Sequence, residues 1–145
     1  LGGDMLWSRE DDIKGGYYRP MHLHTARIGF DGQGRIQAWD HVIVGQSILA
    51  GSPFEPMMVK NGIDGTAVEG MKEPYEIPMR LTVQHPKVNV PVLWWRSVGS
   101  THTAYATETF FDVLAAEASA ARPAATAARP SRAATRSTTD AAVLS

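Results

Sequence analysis

Apolar and polar positions alternate most regularly in two stretches, Arg19 to Phe30 and Arg35 to Gln46, both rich in strand-forming residues. Between them, Asp31-Gly32-Gln33-Gly34 has the residue types of a tight turn, with Gly32 able to take a positive φ. The pattern predicts a β-hairpin. Met5 to Ser8 reads as a short strand, followed by a polar Arg9-Glu10-Asp11-Asp12 turn and a Gly15-Gly16 break. Gly45 to Lys72 is glycine-rich with little periodicity, which predicts a long loop of the kind that is often functional or touches a partner. Met79 to His85 and Val88 to Trp95 read as two more strands around Pro86-Lys87. From Thr103 to Glu117 the period changes, with Ala106, Phe110, Val113 and Leu114 at helical spacing and Ser100 or Thr101 placed to cap the helix. The fold class this predicts is α+β, with mostly antiparallel strands, a β-hairpin and a C-terminal helix.

Composition divides the chain. Residues 1–117 mix aromatic, β-branched and turn-forming residues. Residues 119–145 hold ten Ala, four Arg and two Pro with no aromatic, a composition that cannot build a core. The expectation is one domain over 1–117 and a disordered tail over 118–145. The 14 basic and 15 acidic residues leave a net charge of −1, which gives no broad field for nucleic acid or anionic lipid. The absence of cysteine excludes disulfides, iron–sulfur ligation and a thiol nucleophile within these residues. No apolar run approaches the roughly 20 residues of a membrane-spanning helix. Compartment stays open, because an export signal would precede Leu1.

The residues nominate one site. In Pro91-Val92-Leu93-Trp94-Trp95-Arg96-Ser97-Val98-Gly99-Ser100-Thr101 an apolar run ends in a tryptophan pair, a permanent cation and a turn that opens a helix. Gly99 would let a ligand approach the backbone, and the first helical amides attract anions. The plainer alternative packs Trp94 and Trp95 in a core with Arg96 at the surface. Turning the hairpin about Gly32-Gln33 pairs Phe30 with Arg35 and sets His24 opposite His41, with His22 on the same face, an arrangement able to hold zinc. Arg9-Glu10-Asp11-Asp12 is more simply a solvated charge cluster than acid/base machinery, and Glu108 and Asp112 one helical turn apart resemble an exposed face. His102, beside the arginine turn, either contacts a ligand or caps the helix start.

The strings Leu6-Trp7-Ser8-Arg9-Glu10-Asp11-Asp12-Ile13, Tyr17-Tyr18-Arg19-Pro20, Val42-Ile43-Val44-Gly45-Gln46-Ser47-Ile48 and Val90-Pro91-Val92-Leu93-Trp94-Trp95-Arg96-Ser97-Val98-Gly99-Ser100-Thr101-His102-Thr103-Ala104 occur in this order. Together they resemble the molybdopterin-binding large subunits of the xanthine dehydrogenase and aldehyde oxidase family, those of the isoquinoline 1-oxidoreductase type above all. The likeness runs from about residue 5 to residue 117. It implies an internal slice of a molybdopterin-binding domain from an oxidoreductase that hydroxylates an N-heterocycle or an aldehyde with oxygen from water. The implied cofactor is molybdopterin, as its cytosine dinucleotide, and the implied partner is a small subunit with two [2Fe–2S] clusters that takes the electrons. Neither nucleic acid nor a membrane span is implied.

The resemblance places Arg96 beside the molybdenum, where it would stabilise negative charge on the substrate, and puts the backbone of Ser97, Val98, Gly99 and Ser100 on the cofactor side. It implies no metal ligand in this stretch. The family's Gly-Gly-Phe-Gly cofactor loop and its general-base glutamate have no counterpart here, so the chain alone is expected not to turn over. Met79 and Val113 stand where the family usually has Asn and an acidic residue. Beyond residue 117 the family pattern gives way to residues that GC-rich codons yield in a shifted reading frame. Two other functional classes remain at this point: an interaction module using Trp94, Trp95 and Arg96, and a small metal-binding β protein using His22, His24 and His41.

Overall fold

The computed structural model describes residues 5–71, 75, 77–127 and 138–144, and side chains as far as residue 118. Its centre is a four-stranded sheet in the order β5-β2-β1-β6, built from β1 (His22–Phe30), β2 (Ile36–Gly45), β5 (Met79–Gln84) and β6 (Thr138–Leu144). Strand β1 runs antiparallel to β2 and β6, while β2 and β5 are parallel. The α+β class read from the sequence is what the chain adopts, and the predicted hairpin is its core.

That hairpin forms because inward positions on both strands are apolar or aromatic and the turn between them is closed locally. Asp31 accepts hydrogen bonds from the amides of Gln33 and Arg35 at 2.9 and 2.8 Å. The left-handed position falls on Gly34 (φ 79°), not on Gly32 as predicted. The amide of Arg35 first, helped by its side chain and the Gln33 amide, holds the Asp31 carboxyl down at about 2. A bulge between Gly29 and Phe30 then sets Phe30 against Ile36 rather than Arg35, and the register runs two residues from the one expected.

Helix α3 (Ser100–Ala127) crosses one face of this sheet. Ala106, Phe110 and Leu114 meet Ala26, Ile28 and Trp39 there, with Phe30, Ile36, Met79 and Phe111 around them. Burying each of the large side chains stabilises the fold by about 1.5–3 kcal/mol. Val113, counted in the predicted stripe, is 37% exposed.

Four local predictions need correcting. Met5 to Ser8 is exposed coil, and the charge cluster after it is a helix, α1 (Arg9–Gly15): Ser8 caps it by accepting from the amide of Asp11 at 3.1 Å. Consecutive acidic residues in a first turn suit the positive end of a helix. Val88 to Trp95 is not a ladder strand. Its backbone makes one bridge, with Tyr18 donating to Pro91 at 2.9 Å and accepting from Leu93 at 3.0 Å, and the Gln46 side chain donates to the carbonyls of Val88 and Val90. Residues 45–72 hold more order than a loop: α2 (Glu55–Met58), the paired β3 (Val59–Lys60) and β4 (Ile63–Asp64), and a 3-10 turn over Gly65–Val68. In the region read as a tail, α3 continues to Ala127 and β6 pairs with the edge of β1, elements that composition did not predict; residues 128–137 lie outside the described part. Among the described residues no helix is long and apolar enough to cross a membrane.

Candidate functional site

Alternation along β1 and β2 turns His22, His24, Trp39 and His41 to the face that α3 covers, and all four are buried. A two-residue shift of register preserves which side each residue faces, so the expected meeting of three imidazoles survives although Ala26, not His24, pairs with His41. His102, from the first turn of α3, is a fourth member that the sequence reading did not place here. The signal was present: stepping back four residues from Ala106 on the Ala106, Phe110, Leu114 stripe reaches His102.

The rings form a chain. Trp39 Nε1 donates to His41 Nδ1 at 3.1 Å, His41 Nε2 lies 2.9 Å from His24 Nδ1, and His24 Nε2 lies 2.9 Å from His102 Nδ1. His22 stacks on His102 with centroids 3.6 Å apart and planes 8° from parallel. Gly45, opposite His22 in the ladder, is what lets that ring lie down, since a Cβ there would overlap the imidazole. Burial, and after it the neighbouring imidazoles, pushes His24 and His102 down to about 3. Burial likewise takes His41 to about 4 and lowers His22, against a hydrogen bond to the Pro20 backbone that works the other way. All four are neutral at pH 7. Among the described residues no group of three His, Asp or Glu is arranged to hold a metal ion, and in this chain the ring nitrogens of His24 are both taken up by other imidazoles.

The arginine turn sits beside the chain's open end. Trp94 and Trp95 are 47% and 56% exposed, so the core reading of that pair does not hold. Val98 N closes the turn on Trp95 O at 3.0 Å, and Ser97 and Val98 both carry positive φ, 65° and 39°. A β-branched residue there is a backbone outlier that costs on the order of 1–3 kcal/mol. Gly99 is buried, but the backbone oxygen of Thr66 occupies the space beside its Cα, not a ligand, and any Cβ would collide with it. Its amide faces the Glu69 carboxylate at 3.3 Å, so part of the helix start already has an anion. Ser100 and Thr101 are not the caps: Thr101 Oγ1 donates back to Arg96 O at 3.1 Å. The Arg96 guanidinium is exposed, and no carboxylate pairs with it among the described residues. Ser97 is exposed as well, whereas Val98 and Ser100 are half-buried.

Arg19, from the Tyr-Tyr-Arg-Pro string, reaches this turn from the other side, donating to Thr101 Oγ1 at 3.0 Å and to Arg96 O at 3.2 Å. Between Arg19, Leu93, Trp95 and Val98 lies a cavity of about 70 Å³ that His22 and His102 also line. A wider apolar groove of about 320 Å³ runs on past Trp94 to Ile48, Phe54 and Met58.

Asp64 organises the segment below. It is fully buried and accepts from Ser47 Oγ and Thr66 Oγ1, both at 2.6 Å, and from the amides of Ile48, Leu49 and Thr66. Burial alone raises its pKa, yet these donors together bring it below the ordinary carboxylate value. Glu10, Asp11 and Asp12 lie exposed on α1, and Glu108 and Asp112 on the outer side of α3, where Glu108 takes a hydrogen bond from Tyr75 at 3.0 Å. No protein-family model, curated protein or solved structure matches this chain.

Proposed function

We propose that this chain is part of a molybdenum hydroxylase large subunit, inactive alone, in which the Trp95–Gly99 turn forms one edge of the molybdopterin site and Arg96 acts on the substrate. The observation that carries the reading is the turn itself. Two residues in strained conformations hold an exposed guanidinium, without a carboxylate partner among the described residues, beside a helix start, and strain of that kind persists where geometry serves a site. The donor set suits an anionic, oxo-bearing group, since Arg96 and the exposed Ser97 face outward with no competing carboxylate among the described residues. Gly99, packed on Thr66 and bonded to Glu69, supports the turn from behind.

When bound, that cofactor supplies the two-electron oxidation that places a water-derived oxygen on an N-heterocycle or aldehyde carbon. The chain's own part is electrostatic. Arg19 anchors the carbonyl of Arg96, so the backbone from which the guanidinium projects is fixed before substrate arrives. Losing one such preorganised donor costs about 10²–10³ in kcat. Arg96→Ala in an intact homologous subunit is therefore expected to lower turnover by about that factor with molybdenum content unchanged. Full activity, or loss of the cofactor itself, would refute the assigned role. A second reading, an interaction module, draws on the half-exposed Trp94 and Trp95 beside their apolar groove. It predicts that Trp95→Ala alters partner capture while Arg96→Ala leaves turnover untouched.

A further inference from the structure

The histidine chain has a direction, and the direction follows from one atom. Indole nitrogen can only donate. Because Trp39 Nε1 points at His41 Nδ1, that nitrogen is an acceptor and the proton of neutral His41 is on Nε2. His41 Nε2 then donates to His24 Nδ1, which puts the His24 proton on Nε2, and that nitrogen donates to His102 Nδ1. The last proton of the series is on His102 Nε2.

Among the described residues His102 Nε2 has no hydrogen-bond partner. Every enclosed side-chain nitrogen and oxygen among the described residues is hydrogen-bonded, so an unpartnered Nε2 on a residue only 6% exposed must reach open space. His102 lines the cavity beneath Trp95. There the stacked His22 ring holds the imidazole plane, and Arg19, fixed at Thr101 and Arg96, adds a cation to the rim. The remaining lining is mostly apolar, from Ile48, Leu93, Trp95 and Val98, and contains no carboxylate. A water occupies about 10–15 Å³ of such space, so 70 Å³ admits several water-sized units, the scale of a single ring.

From this we infer that the cavity between Arg19, Trp95 and His102 is a binding site for a small aromatic carboxylate, whose oxygen accepts from His102 Nε2 while its ring lies against the apolar wall. The site is separate from the exposed guanidinium of Arg96 and stands whether or not the chain serves a molybdenum enzyme. A fixed N–H donor beside the Arg19 guanidinium, in a lining without a carboxylate, suits an anion better than a cation. Trp39, about three imidazoles away from the ligand, is a positioning residue: it keeps His102 from presenting a bare nitrogen.

The test uses benzoate and benzylammonium as probes with the 145-residue chain, followed by imidazole nitrogen NMR and a binding titration. The expected results are a protonated Nε2 and bare Nδ1 on His102, saturable benzoate binding, and benzylammonium at least tenfold weaker. His102→Phe keeps a ring to stack on His22 and removes the donor, which should weaken benzoate about tenfold or more. Trp39→Phe removes the lock while leaving the pocket, so the His102 tautomer becomes mixed and benzoate weakens by a smaller factor. An Nδ1–H tautomer on His102 in the unmodified chain, equal binding of the two probes, or unchanged benzoate affinity in His102→Phe with native near-ultraviolet dichroism would each overturn the inference.

Discussion

Acid should unfold this protein through its buried imidazoles, and the size of the effect follows from the structure. His24, His41 and His102 have folded values of about 3, about 4 and about 3, all below the unfolded value of about 6.5. Well above pH 6.5 neither state binds protons at these sites, so the fold keeps its full stability. As pH falls, the unfolded chain takes up protons that the folded chain refuses, and stability drops by up to about 1.4 kcal/mol per pH unit for each histidine. At pH 5 each has lost about 2 kcal/mol, close to 6 kcal/mol for the three, and the figure hardly depends on the folded values once they lie a unit or more below 5. A small domain has about 5–15 kcal/mol in total. Melting the 145-residue chain at pH 7.5, 6, 5.5 and 5 by tryptophan fluorescence should show Tm falling by about 20 °C across the series. Asp64 does not contribute in this window: its depressed carboxyl loses stability only as pH falls below the ordinary value near 4. Replacing His24 and His41 by Phe and Leu should flatten the slope in proportion. A Tm at pH 5 within a few degrees of that at pH 7.5 would refute the claim that these imidazoles are buried and neutral.

Other perturbations separate packing from strain. Gly99→Ala drives a methyl into the Thr66 carbonyl and should destabilise by at least about 2 kcal/mol in urea unfolding, whereas an exposed change such as Arg96→Ala should stay within about 0.5 kcal/mol. Val98→Gly relieves a positive φ on a β-branched residue and should raise stability by about 1 kcal/mol, net of the extra freedom of the unfolded chain. Asp64→Asn turns one acceptor oxygen into a donor amid five donors and should cost about 2–4 kcal/mol, read by the same method.

The hairpin was legible because strand alternation needs no knowledge of tertiary partners: the same period that marks Ile28, Trp39 and Ile43 as apolar also marks their side of the sheet. Its exact register was not: Gly29 within the strand is the residue type a bulge favours, but it does not say how far the pairing shifts. Val88 to Trp95 misled for the opposite reason. Its apolar content is that of a strand, but Pro91 lacks an amide to donate and the stretch makes a single bridge, to Tyr18, with Trp94 and Trp95 left at the surface. The order in residues 45–72 escaped notice because it rests on a single buried carboxylate, and nothing in composition marks Asp64 off from any other loop aspartate. The site was half visible. Its turn was found from Trp94 to Gly99, with His102 beside it named as able to contact a ligand, while Arg19, which also bounds the cavity, comes from a segment far off in the chain.

What joins those segments is a run of contacts in which each glycine and polar side chain leaves room for or holds the next. Asp64 receives Thr66 through both amide and hydroxyl, which fixes the Thr66 carbonyl against the Cα of Gly99. Glu69, three residues on, takes the amide of Gly99 with its side chain and the hydroxyl of Thr103 with its backbone, at 2.6 Å, so the first turn of α3 is clamped from below. His102 lies inside that clamp, and its ring is placed between His24 and His22. On the far side, His85 pairs with the Gly45 carbonyl at 2.8 Å and accepts from the Asp64 amide at 3.0 Å, and Gly45 is the residue that makes room for His22. The circuit closes on itself, from Asp64 through the helix start and the stacked imidazoles to the end of β2 and back. A change at Asp64 is therefore expected to reach the His102 donor, which it does not touch, with residues 45–71 framing that end of the cavity.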